Sequence, residues 1–143
     1  MKKIKTITAH AHIKGLSDYS DIHGSISFKQ LSNGVLVVSE IFNLPHHEYG
    51  NVFAFHIHDG ISCDDSGNHF NPTNTIHPYH AGDMPPLFEN NGYAYLSFFT
   101  NRFKVSDIIG NVVIIHENPD DFKSQPSGNP GKKIACGKIF YLN

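Results

Sequence analysis

Short runs in which apolar and polar residues take turns recur along the whole chain, and this two-residue period is that of half-buried β-strands. Between Ile4 and Ile13 the apolar positions are Ile4, Ile7, Ala9, Ala11 and Ile13, and between Ile22 and Phe28 they are Ile22, Ile26 and Phe28, with a turn over Gly15 to Tyr19 separating the runs. Ser32-Asn33-Gly34 is a hairpin signal that leads into the strand Val35 to Phe42. A fourth strand is expected over Val52 to His58. Residues 59–90 are rich in Gly, Asn, Asp and Pro and carry little periodicity, the signature of a long functional loop. Asn90-Asn91-Gly92 then turns the chain into Tyr93 to Phe99. Val112 to His116 is a short β-branched run, Pro119 to Gly131 a second polar loop, and Ile134 to Leu142 a closing strand. With no helical period of useful length, seven or eight short strands predict an all-β fold, an antiparallel sandwich or flattened barrel.

A chain of 143 residues, with no internal repeat or boundary, is expected to form one domain over residues 1–143 around one core. Eleven basic and 13 acidic side chains leave a formal charge of −2, so no global field recruits nucleic acid or a membrane surface. No apolar run approaches the roughly 20 residues that cross a bilayer. Lysines at the start are not followed by an apolar leader segment, so the expectation is a cytoplasmic protein, or an extracellular or periplasmic one from which a leader has been removed. Cys63 and Cys136 form no short metal or redox motif and are either a long-range disulfide or two buried thiols. A bridge closing so long a loop would contribute about 4 kcal/mol in the chain-entropy model. It would be unusual in the cytosol.

The histidines change the picture most. Eleven in 143 residues yield about 0.8 His-x-His pairs by composition alone, and His10-x-His12 is such a pair. The ordering around the second pair is more telling. Six potential metal ligands fall within 28 residues: His56-x-His58, then His69, then His77-x-x-His80-x-x-Asp83, with His116 ending a later apolar strand. On a strand, positions i and i+2 face one side about 6.6 Å apart, so His56 and His58 can converge on one metal, and His116 can arrive across the sheet. His77, His80 and Asp83 offer two nitrogens and a carboxylate, which one more histidine completes to a closed tetrahedral zinc set. Imidazole-only ligation of the other metal suits copper. His69, between the sets, can offer one ring nitrogen to each metal if it loses both protons.

Taken together, His56-x-His58, Gly67-Asn-His-Phe-Asn-Pro72, His77 to Asp83, Ile108-Ile-Gly-x-x-Val-x-Ile-His116-Glu-x-x-Asp-Asp121 and Gly128-Asn-x-Gly-x-x-x-Ala-Cys-Gly137 resemble the copper-zinc superoxide dismutase family over nearly the whole chain. That resemblance implies an eight-stranded Greek-key β-barrel, copper on His56, His58, His69 and His116, and zinc on His69, His77, His80 and Asp83. It further implies that Asp120 is the carboxylate joining ligands of the two metals, that Cys63 and Cys136 form the family's disulfide, and that members pair as homodimers through differing faces. The implied reaction is disproportionation of superoxide to oxygen and hydrogen peroxide, with His69 handling a proton.

Three departures stand out. Lys133 occupies the place where the family usually carries an arginine beside the copper, keeping the charge but not the planar donor fork, so turnover is expected with weaker guidance. The segment from His69 to Asp83 is short, as is the loop from Asp121 to Gly131, which predicts a more open copper and weaker steering of the anion. Lys123 and Lys132 are left as local charges, and Ser127 stands for the small hydroxyl residue of the channel wall. His10, His12, His23, His46 and His47 lie outside the motif. Two rival classes remain in view: a redox-inactive copper or zinc store, which would bind metal without turning over superoxide, and a zinc hydrolase suggested by His56-x-His58-Asp59, whose carboxylate is one position early for that chemistry.

Overall fold

The computed structural model describes residues 6–48 and 50–142. Nine strands occur among them: β1 (Thr8–Gly15), β2 (His23–Leu31), β3 (Gly34–Phe42), β4 (Val52–Phe53), β5 (Phe55–His58), β6 (Leu87–Phe88), β7 (Ala94–Thr100), β8 (Val112–His116) and β9 (Lys133–Tyr141). The helical content is a 3-10 turn at Ser17–Tyr19 and a single α-turn, α1 (Val105–Ile108). Ile4 of the first expected strand lies outside the described residues.

Seven strands form one curled antiparallel sheet in the order β5-β8-β9-β1-β2-β3-β7, a half-barrel, and β4 pairs with β6 in a small sheet beside it. Neighbours β1, β2 and β3 follow one another by hairpins, the second through Ser32 and Asn33. The chain then crosses from β3 at one side to β5 at the far edge, and again from β7 to β8, the long returns of Greek-key connectivity.

Alternation explains the core. Ala9, Ala11 and Ile13 of β1, Ile26 and Phe28 of β2, Val35, Val37 and Ile41 of β3, and Phe55 and Ile57 of β5 all point inward and are buried, together with Val113 and Ile115 of β8. Each fully buried Phe or Ile side chain stabilises the fold by roughly 1.5–3 kcal/mol. A second, smaller apolar cluster lies on the outer face of β8 and β9, where Val112, Ile114 and Cys136 meet Leu16 and Cys63. Cys63 and Cys136 are disulfide-bonded there, with Cα atoms 5.8 Å apart.

The fourth strand expected over Val52 to His58 is broken at Ala54. Its N–H donates to Asn118 O and its carbonyl accepts from His116 N, so the residue is spent on the segment around the end of β8. Val52 and Phe53 pair with β6, inside the segment expected to be all loop, while Phe55 to His58 pair with β8.

Candidate metal centre

Strand β5 sits at the edge of the large sheet, and its free backbone is covered by its own following loop. Ile57 donates to Gly82 O at 2.9 Å and accepts from Phe70 N at 2.8 Å, and Gly82 N closes the set on Phe70 O. This short ladder brings His69 beside His58 and Asp83 beside His56. Gly82 is required by close approach, because a Cβ there would stand 2.3 Å from Ile57 O. Phe55 and Ile57 enter the core, so His56 and His58 face outward beneath the loops, where both are buried. His116 shares the outward parity of Val112 and Ile114 on β8 and reaches the same space.

Two groups of donors result. His69, His77, His80 and Asp83 each bring a ligand atom within 4.8 Å of the others, and so do His56, His58 and His69. In the first group, Asp83 Oδ1 lies 2.7 Å from His69 Nδ1, and Oδ2 lies 3.1 Å from His77 Nδ1 and 3.3 Å from His80 Nδ1. His116 joins the second through His58, their Nε2 atoms being 3.5 Å apart. His69 belongs to both groups, its Nδ1 spent on Asp83 and its Nε2 buried without a partner.

The hydrogen bonds at the rear of each ring fix which nitrogen faces the metal space. Asp120 accepts from His56 Nε2 at 2.7 Å and His77 Nε2 at 2.8 Å, leaving Nδ1 of both rings buried and without a hydrogen-bond partner. His58 Nδ1 donates to Gly67 O and His116 Nδ1 to Gly131 O, so their facing Nε2 atoms are both lone pairs. Two lone pairs aimed at each other, and unpartnered imidazole nitrogens in a buried site, are costly unless a cation lies between them. The donor chemistry therefore fits two metal ions. Gly128, at φ +81°, lets the second loop pass over Asp120, and a Cβ there would stand 2.0 Å from Asp120 Oδ1.

Electrostatics agree. Burial pulls His58 down to about 3 and His116 down to about 4, with His69 adding to both, so these imidazoles are neutral and ready to ligate at pH 7. Burial likewise lowers His56 and His80. Burial pushes Asp120 up, but the bonds from His56, His77 and Phe122 N outweigh it and hold the carboxyl at about 2. Asp83 is lowered in the same way, burial being overcome by His69, His77 and His80.

Above these donors opens a cavity of about 780 Å³, walled by Asn68, Asn71 and Thr75 of the first loop and Ser127, Asn129 and Pro130 of the second. Ser127 stands at the wall as its sequence position suggests. Among the described residues, the cavity lining includes no lysine or arginine. Lys133 pairs across the sheet with His116, and its ammonium donates to the hydroxyl of buried Ser66 at 2.5 Å. Lys132 lies 3.9 Å from Glu117. Asp59, the carboxylate that suggested a hydrolase, accepts from Asn68 N at 2.9 Å and is a loop brace.

Three braces escaped the sequence reading. Gln125 holds the backbone of His77 at both ends, accepting from its N–H and donating to its carbonyl. Arg102 donates through Nη1 to Pro78 O and His80 O. Ser66 receives Lys133. None lies in a motif or follows a period, and the separations of 22 to 67 residues leave no local signal.

The sequence model described as copper/zinc superoxide dismutase matches residues 22–139. A Cu-Zn superoxide dismutase of Legionella pneumophila is 36% identical over 81% of this chain and 76% of its own length. One from Aquifex aeolicus is 35% identical, covering 81% and 79%, and superoxide dismutase A of Xenopus laevis is 31% identical, covering 87% and 93%. With its paired donor groups on such a barrel wall, the chain belongs to the copper/zinc superoxide dismutase family.

Proposed function

We propose that the chain performs its family's reaction at these paired donor groups, converting two superoxide ions and two protons to dioxygen and hydrogen peroxide. Copper would be held by His56, His58, His69 and His116, and zinc by His69, His77, His80 and Asp83. When bound, copper supplies the one-electron couple that superoxide reduces and reoxidises, while zinc supplies a fixed charge without redox chemistry. The observation that carries the assignment is the set of buried, unpartnered nitrogens, His56 Nδ1, His69 Nε2 and His77 Nδ1, turned away from their hydrogen-bonded rear edges.

The residues divide the work. Asp120 holds His56 and His77 in the tautomer that leaves Nδ1 free, and the carbonyls of Gly67 and Gly131 do the same for Nε2 of His58 and His116. His69 Nδ1 lies against Asp83, where both would hold zinc and so fix the ring, and its Nε2 is the atom that can take up a proton and return it to the reduced product. Lys133 supplies positive charge beside His116, with Ser66 setting where that charge rests. The amide-rich cavity admits a small anion and, among the described residues, has no cationic lining of its own. The Cys63–Cys136 bridge supports residence in an oxidising compartment.

Pulse radiolysis of protein loaded with one copper and one zinc, against metal-free protein, tests this reading. The expected result is fast metal-dependent decay of superoxide with shallow salt dependence. Tight metal uptake with no acceleration would replace it with a redox-inactive store.

A further inference from the structure

Outside the paired donor groups, His10 and His12 stand on β1, the strand between β9 and β2. Ala9, Ala11 and Ile13 enter the core, so the two imidazoles share the outer face of the sheet, where His10 is half-buried and His12 exposed. Their ring centroids are 6.4 Å apart. His56 and His58, the i and i+2 pair of the copper group, are also 6.4 Å apart. Among the described residues neither His10 nor His12 has a side-chain hydrogen bond, whereas His23 bonds Asp21 O and His46 bonds Glu89.

We infer that His10 and His12 form a surface site for copper(II), separate from the two interior groups. Both rings offer nitrogen donors to a metal that takes imidazole in tetragonal geometry and leads the divalent series in affinity. A central strand, bonded on both sides, holds the pair in place, so little backbone order is lost on binding. The register sets Ser27 opposite His10 and Ser25 opposite His12 on β2, and these hydroxyls with water can fill remaining positions. Lys14 lies two residues along the same face of the strand and weakens the site relative to the interior ones, so it fills last.

The test starts from protein whose interior groups already hold copper and zinc, titrated with copper(II) chloride and followed by calorimetry and electron paramagnetic resonance. Wild type is expected to take one further equivalent with an axial signal of nitrogen ligation. His10→Ala and His12→Ala should each weaken that uptake at least tenfold, and nickel and zinc should compete less well than copper. Superoxide decay serves as a control and should not move, since neither ring belongs to the interior groups, while the thermal midpoint registers only the contact of His12 with Phe140, whose ring centroid is 5.3 Å away. Undiminished uptake in the double variant, or its loss in His47→Ala instead, would overturn the site.

Discussion

His56, His58 and His116 stand on strands, whereas His77, His80 and Asp83 stand on a loop, and the two triples are fixed by different physics. For the strand triple, orientation follows from the ladder and the core: once Phe55, Ile57 and Ile115 are buried, parity sends the three imidazoles to the other face. The loop triple has only the short ladder that sets Asp83 beside His56. It is assembled from polar braces, with Gly82 and Phe70 on Ile57, Gln125 on His77, Arg102 on the carbonyls of Pro78 and His80, and Asp120 behind His77. Apolar burial therefore sets one half of the centre and individually small hydrogen bonds set the other. Loss of a single brace should be felt on the loop side first.

His69 is the exception that joins the halves, and its removal should have the largest effect. His69→Ala deletes a donor from both groups, so copper and zinc titrations should each lose tight binding, and superoxide decay should approach that of metal-free protein. Retention of both metals at unchanged affinity would remove His69 as the shared ligand.

Asp120→Asn comes next. The amide cannot accept from both rings with the strength of a carboxylate, and loss of such a partner typically costs 10–100-fold in metal affinity. Because His56 remains fixed by β5 while His77 does not, zinc affinity should fall by the larger factor. Equal losses for both metals would erase the distinction between strand and loop.

These two regions were also unequally legible in the sequence. His56 and His58 were readable as a pair because the strand period of two makes i and i+2 neighbours, and His77, His80 and Asp83 as candidate donors because their residue types and spacing match a chelating set. Resemblance to a known family supplied the pairing of Cys63 with Cys136 and the place of Asp120. What no pattern disclosed was the bracing. Gln125, Arg102 and Ser66 act across long separations on backbone atoms or a single hydroxyl, and such contacts have no period. The break at Ala54 was hidden for the same reason: its apolar neighbours read as one run, and only Asn118 O and His116 N in the folded chain divide it. Lys133 could be placed near His116 by resemblance, but the partner that receives its ammonium could not.

Acid sensitivity sharpens the comparison with a smaller effect. His58 and His116 are lowered mainly by burial to about 3 and about 4, so below the ordinary histidine value of about 6.5 the unfolded chain binds protons that the folded one refuses. Their contribution to the stability of the metal-free protein is complete above that pH and is lost as the pH falls toward 4 and then 3. Urea midpoints of metal-free protein should decline steadily from pH 7 to pH 4.5. A flat profile would mean that these rings are not held neutral by burial.

The smallest effect concerns Arg102, the only arginine in the chain. Its Nη1 meets Pro78 O at 2.9 Å and His80 O at 3.2 Å, on either side of Tyr79, and both bonds are near the surface. Water can replace an exposed donor, so Arg102→Ala should cost no more than about 1 kcal/mol, or roughly fivefold in zinc affinity. Copper affinity should stay put, because no strand-borne ligand is braced by this side chain. Arg102→Lys should recover part of the loss, since an ammonium has donors for both carbonyls but carries them on a flexible stem. Cobalt placed in the zinc position gives a readout independent of turnover: its visible bands should shift in the alanine variant if His80 is released and stay fixed if Arg102 merely covers the loop. A copper loss equal to the zinc loss would show that the strand triple leans on the loop after all, and would dissolve the division between the two regions.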